Sequence, residues 1–155
     1  MPSTYESIAT QTLGSSAASV TFTSIPSTYT DLIMVFNGVA DNNVSLRFNS
    51  DTGTNYSSTR IQGNGSAASS ARFTNQTSML GSYDSGRSTS IWQIMNYSNS
   101  TTNKTALNRG GGTINNVEAY VGLWRNTAAI TSVTIIVSGN FSSGSTFSLY
   151  GIKAD

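Results

Sequence analysis

Apolar residues recur along this chain in short runs with a two-residue rhythm, set in a background of Ser, Thr, Asn and Gly. In residues 18–25, Val20, Phe22 and Ile25 are separated by Ser and Thr. That spacing predicts a strand with one buried face, closed by Pro26. The run Leu32, Ile33, Met34, Val35, Phe36 is apolar at both parities. It predicts a central strand covered on both faces, ended by Asn37-Gly38 and Asp41-Asn42-Asn43. Val44, Leu46 and Phe48 then alternate with Ser45, Arg47 and Asn49 as another half-buried strand, and residues 51–55 make a turn.

Further on, residues 56–61 read as a weak strand, 63–70 as an exposed polar loop, and 72–73 and 78–80 as short extended pieces. Ile91, Trp92, Ile94 and Tyr97 mark a strand over 90–97 with material on both faces, and a mid-strand Trp92 beside Ile91 and Ile94 reads as core. Residues 104–108 form a brief strand that Gly110-Gly111-Gly112 breaks into a flexible hairpin or loop. Over 117–124, Val117, Ala119, Val121 and Leu123 face one way, and Tyr120 and Trp124 the other. The Tyr120–Trp124 face then needs a cover, either a neighbouring subunit, which is preferred, or a ligand. Val133, Ile135 and Val137 alternate, and Phe147, Leu149 and Gly151 alternate with Ser148, Tyr150 and Ile152 in a last strand.

No window carries helical spacing, and Ser, Thr, Asn and Gly all lower helix propensity. Roughly eight to ten strands at spacings near a dozen residues predict an all-β fold. Its expected form is an antiparallel two-sheet β-sandwich, jelly-roll-like. Residues 1–10 read as a short N-terminal lead and candidate contact segment, and 11–155 as a single sandwich domain.

Composition narrows the chemistry. The chain has no His and no Cys, and only 10% of its residues are charged. That excludes thiol nucleophiles, disulfides, thiolate metal sites and the commonest general base. A net charge of +1, with the basic residues scattered singly, gives no steering toward nucleic acid or a membrane. The N-terminus lacks a basic and apolar leader, so the expected place of synthesis is a cytoplasm. Few charges guard the strand edges, which predicts a homo-oligomer that covers them, a trimer as first expectation.

Of the remaining acid–base candidates, Glu6, Asp31, Asp41, Asp51, Asp84, Glu118 and Asp155, none sits in a local motif, and Asp is typical of turns. Asp41-Asn42-Asn43 with Asp51 offers oxygen ligands but lacks the spacing of a calcium loop, so turn chemistry explains it better. Arg109-Gly110-Gly111-Gly112 is followed by neither Lys-Ser/Thr nor a helix, so it is no phosphate loop. No cofactor and no metal is expected.

Three segments carry a likeness: residues 5–10 (Tyr-Glu-Ser-Ile-Ala-Thr), 24–32 (Ser-Ile-Pro-Ser-Thr-Tyr-Thr-Asp-Leu) and 46–56 (Leu-Arg-Phe-Asn-Ser-Asp-Thr-Gly-Thr-Asn-Tyr). Residues 147–153, Phe-Ser-Leu-Tyr-Gly-Ile-Lys, complete the set. Together they resemble a family of small virion proteins of tailed bacteriophages, especially phages of cyanobacteria and other aquatic bacteria, along nearly the whole chain. The resemblance implies a β-sandwich and a non-enzymatic structural role as a capsid decoration or cement protein. It implies the major capsid protein or another virion protein as partner, and assembly into a virion from the host cytoplasm. Pro2, Ser3, Thr4 and Tyr5 are the candidate capsid contact. The alternative is a tail-tip or fibre-head adhesin that recognises a host glycan, with Tyr120, Trp124 and the loop 110–116 as its candidate surface. The resemblance supplies no catalytic residue.

Overall fold

The structure is a computed structural model that describes residues 4–82, 86–112 and 116–153. Those residues form twelve strands and no helix. They are β1 (Tyr5–Thr12), β2 (Ala17–Phe22), β3 (Asp31–Val39), β4 (Val44–Phe48), β5 (Tyr56–Gly63) and β6 (Ala68–Gln76). Then follow β7 (Met79–Leu80), β8 (Arg87–Met95), β9 (Lys104–Gly112), β10 (Val117–Trp124), β11 (Val133–Phe141) and β12 (Thr146–Ile152). An eight-stranded sheet runs β1-β12-β3-β8-β9-β10-β5-β6, and a four-stranded sheet runs β2-β11-β4-β7. Every pairing is antiparallel. The chain crosses repeatedly between sheets, giving the expected jelly-roll-like β-sandwich.

Alternation decides which side of each strand is inside. Leu32, Met34 and Phe36 of β3 meet Val20 and Phe22 of β2, Leu46 and Phe48 of β4, and Val133 and Ile135 of β11 in one continuous core. Two aromatic clusters fill its ends. Phe36, Phe141 and Phe147 pack with ring centroids 4.9–5.3 Å apart. Phe48, Tyr56 and Trp124 lie 5.5–6.3 Å apart. A fully buried aromatic ring of this kind contributes about 1.5–3 kcal/mol each.

Side chains fasten the loops. Asn49, with φ of 51°, ends β4 in the left-handed region. Its Oδ1 accepts the amides of Thr131 (2.9 Å) and Ser132 (3.2 Å), while its Nδ2 donates to the Ala129 carbonyl (2.8 Å). Lys104, buried at the start of β9, donates Nζ to the carbonyls of Thr102 (2.7 Å) and Thr127 (2.9 Å), and burial pushes its ammonium pKa down.

Four expectations are corrected. Residues 5–10, expected within the lead 1–10, belong to β1 (Tyr5–Thr12), an edge strand paired with β12, and a bulge between Ser7 and Ala9 masks its rhythm. The expected loop 63–70 shrinks, because Ala68–Gln76 forms the opposite edge strand. Gly110-Gly111-Gly112 does not break β9 but extends it opposite β10 and β8. A Cβ on Gly110 would collide with Ser82, so glycine is what admits the neighbouring chain. Finally, β3 is central in its sheet, but only one of its faces is covered: Ile33 and Val35 point outward and are half-buried.

Candidate functional site

The outward face of the eight-stranded sheet is the most unusual surface of the described residues. Inward positions of β10 are Glu118, Tyr120, Gly122 and Trp124, all buried, so Val117, Ala119, Val121 and Leu123 point out. The pairing sets Val121 between Thr59 of β5 and Leu107 of β9, and Ala119 between Ile61 and Arg109. Further across, Leu107 lies beside Gln93 and then Ile33, and Arg109 beside Ile91 and then Val35. The result is a face over five strands on which apolar side chains predominate but are interspersed with Thr59, Gln93 and the exposed Arg109. Its least covered members are Val117 at 69%, Ile61 at 65% and Val121 at 56% exposure. Shallow hollows lie along β5 and β10, one lined by Ser57, Thr59, Arg72, Val121 and Leu123, another by Ile61, Gly63, Ala68, Val117 and Ala119. Single exposed apolar residues are ordinary, but a contiguous patch marks a contact surface.

Tyr120 and Trp124, expected at that contact surface, are instead 1% and 0% exposed, and the expected faces of β10 are exchanged. Both parities of this strand are apolar, so rhythm alone did not choose between them. Side-chain size did. Trp124 stacks near Tyr56 and donates Nε1 to Asp51 Oδ2 at 2.7 Å, and an inward Gly122 leaves room for Met79. Trp92 is buried as expected, and its Nε1 has no hydrogen-bond partner among the described residues. Neither tryptophan therefore reaches the surface.

The expected capsid contact falls partly outside the described residues, since Pro2 and Ser3 belong there. Thr4 is exposed, and its carbonyl accepts the Lys153 amide at 3.2 Å. Tyr5 opens β1, exposed and opposite Ile152. Of the loop expected over 110–116, residues 110–112 are strand and 113–115 lie outside the described residues.

The inner side of the large sheet holds a charged cluster. Arg60 on β5 and Glu118 on β10 form an ion pair at 3.7 Å, with the Glu118 side chain 1% exposed. The Tyr120 hydroxyl donates to Glu118 Oε2 at 3.3 Å, and the Arg60 guanidinium lies 5.7 Å from the centre of the Phe73 ring. Burial, and then the neighbouring Glu118 charge, pushes the Tyr120 phenol up to about 12. Tyr120 therefore keeps its proton at neutral pH and serves as a donor to Glu118.

The other carboxylates are held in structural bonds. Glu6 pairs with Lys153 at 2.7 Å and accepts the Tyr29 hydroxyl at 3.3 Å. Asp31 accepts Gln93 Nε2 (3.1 Å) and the Asn96 amide (2.9 Å), and Asp41 accepts the Asn140 amide (2.8 Å). Asp51 accepts Gly53, Asn55 and Trp124. Asp84 and Asp155 lie outside the described residues. Among the described residues no group of three or more acidic side chains comes together as a metal cage.

No protein-family model matches the chain, and no curated protein matches it. Solved structures give distant likenesses. One is a tetrameric galectin from the ball sponge Cinachyrella sp., at 13% identity and TM-score 0.40, covering 86% of this chain and 99% of that one. Another is exo-inulinase from Aspergillus awamori, at 11% identity and TM-score 0.39, covering 96% of this chain and 29% of that one.

Proposed function

We propose that this chain is a non-enzymatic structural protein that works inside a larger assembly. In the setting its sequence resembles, that assembly is a phage virion, and the protein clips onto the outer capsid as a homo-oligomeric decoration or cement protein. The observation that carries the reading is the apolar outward face of the eight-stranded sheet, with Ile33, Val35, Leu107 and Val121 turned to solvent. A sheet face of this kind gains stability when a second surface covers it. Two further features support the reading. The chain has no His and no Cys, and the described carboxylates are occupied in structural bonds rather than gathered in a cleft. In such a role the protein is made in the host cytoplasm and joins the particle there.

The adhesin alternative has no observation in its favour. Its aromatic candidates, Tyr120 and Trp124, pack in the interior, where they cannot stack on a sugar. The test is to add purified protein to phage heads stripped of accessory proteins. Binding together with a raised melting temperature of the heads is expected, because added contacts across capsomers bind only the intact particle. Heads that neither bind the protein nor melt at a higher temperature would overturn the virion reading.

A further inference from the structure

We propose that the β8-β9-β10-β5-β6 half of the outer face docks a partner protein whose surface sets carboxylates among apolar side chains. This rests on the assembly reading above and adds the chemistry of the partner, whatever particle carries it.

The basic residues stand singly in the sequence but gather in the fold. Of the eight, Arg47, Arg60, Arg125, Lys104 and Lys153 are engaged, with the Thr77 carbonyl, Glu118, the Thr54 carbonyl, the Thr102 and Thr127 carbonyls, and Glu6. Arg72 on β6, Arg87 on β8 and Arg109 on β9 are exposed and make no hydrogen bond or ion pair among the described residues. Register turns all three to the same side of the sheet. Arg72 lies beside Thr59 and then Val121, Arg109 between Ala119 and Ile91, and Arg87 beside Val39. No described outward position of these five strands carries an acid, because Glu118 points inward. The other half of the face, β3-β12-β1, carries Asp31 and no outward arginine or lysine. Three uncompensated positive charges thus share half of one face, in a chain whose net charge is +1.

Spacing decides what kind of anion fits. With strands about 4.8 Å apart and residues about 3.4 Å along, Arg109 stands roughly 16 Å from Arg72 and roughly 14 Å from Arg87. A single phosphate or sulfate cannot bridge them, whereas an extended surface can. These distances exceed the Debye length of about 8 Å at physiological salt, so gathering the three charges costs little while the face is wet. Covering it changes the balance. An uncharged cover would strip water from three guanidiniums without pairing them, so the partner must bring carboxylates.

What lies between the arginines points to a protein. Val121, Leu107, Ala119 and Ile91 reward an apolar cover, which a hydrated polyanion does not supply. A nucleic acid strand stacks its bases on exposed aromatic rings, but Phe73, Trp92, Tyr120 and Trp124 of these strands all face inward. A shallow hollow of about 320 Å³ joins Arg72 to the hydroxyls of Ser57, Thr59 and Thr105 over Val121 and Leu123. A partner carboxylate seated there meets a guanidinium and hydroxyl donors at once, with apolar contacts beside it.

Binding of the full chain to an immobilised copolymer of glutamate and tyrosine tests this chemistry. The wild type is expected to bind it more tightly than polyglutamate, heparin or single-stranded DNA, and to weaken severalfold between about 50 and about 300 mM salt. The double variant Arg72→Glu with Arg109→Glu is expected to lose at least about tenfold in affinity. Its circular dichroism and melting temperature should stay unchanged, because neither side chain holds a structural bond. Arg72→Gln with Arg109→Gln is expected to fall between, and serves if reversed charges disturb the fold. Ser19→Glu, exposed on the outer face of the small sheet, is expected to bind close to wild type. A wild type that ignores the copolymer, one that binds heparin or DNA at least as tightly, or double variants that bind as the wild type does would each overturn the proposal. Stripped heads separate it from the virion reading. Heads that hold the wild type and the double variants equally remove this docking face and keep the virion role, and copolymer binding by a protein that ignores heads does the reverse.

Discussion

Asp51 shows how one side chain ties the turn to the core. It begins the segment after β4, yet its carboxylate reaches Trp124 Nε1 at 2.7 Å, Asn55 Nδ2 at 2.9 Å and the Gly53 amide at 2.8 Å. Burial pushes this carboxyl pKa up, but the three donated hydrogen bonds outweigh it and leave the group below its ordinary value. The sign of the pH effect follows. The unfolded chain binds this proton near about pH 3.9, and the folded protein only at a lower pH. The contribution is therefore full above that unfolded value and is lost as pH falls through the folded one. Asp51→Ala leaves the buried Trp124 indole N–H without an acceptor and should cost about 1–3 kcal/mol at neutral pH. Urea midpoints measured from about pH 6 down to about pH 2 should also show a shallower acid loss in the variant than in the wild type. Equal midpoints in both proteins would show that the indole finds another acceptor. Nothing in the sequence marks Asp51 and Trp124 as partners, since 73 positions separate them. A turn carboxylate and a strand tryptophan were each legible alone, but their meeting depends on how β10 is turned.

At the scale of elements, legibility followed the contrast between faces. Where one parity is apolar and the other polar, as in Val44, Leu46 and Phe48 of β4 or Val133 and Ile135 of β11, the buried side was readable and correct. Where apolar residues are sparse, as in β1 and β6, the strands were missed or read only as a short piece at 72–73, because an edge strand that packs little more than Ile8 and Ala9 or Phe73 shows almost no apolar rhythm. Where both parities are apolar, as in β3 and β10, the strand was found but not its surroundings. Ile33 and Val35 led to the expectation of a second cover that the single chain does not supply, and Val121 and Leu123 took the interior role that Tyr120 and Trp124 hold. The deciding residue in β10 is Gly122. It faces inward, and a Cβ there would run into the Met79 side chain of β7 from the other sheet. Gly122→Ala should therefore lower stability by about 1–3 kcal/mol, the usual cost of overpacking, in spite of the higher strand tendency of alanine. Chemical denaturation of the variant checks this. A more stable variant would mean that Met79 moves aside freely and that the sheets are not held at this spacing by the glycine.

For the whole molecule, the order β1-β12-β3 has a consequence for folding. The last strand of the chain is not an edge. It sits between the first strand and the central β3, pairing Phe147 with Phe36 on one side and with Gln11 on the other. Its Phe147 and Leu149 are buried in the shared core. The large sheet therefore cannot close until β12 is present, and its pairings join residues far apart in sequence. Such a topology spends loop entropy before contacts return it, which predicts refolding on the order of milliseconds to seconds rather than microseconds. It also predicts that deleting residues 146–153 abolishes cooperative unfolding. The loss would open the core between β1 and β3 instead of trimming an edge, whereas a domain whose last strand were peripheral would retain a weakened transition. Stopped-flow fluorescence of the two buried tryptophans, Trp92 and Trp124, reports the first quantity, and a urea titration of the shortened chain the second. A truncated protein with a sharp transition would mean that β3 can serve as the sheet edge without its neighbour. The outward Ile33 and Val35 would then lie at that edge, and the mostly apolar stretch could no longer be read as the middle of a closed, contact-ready face.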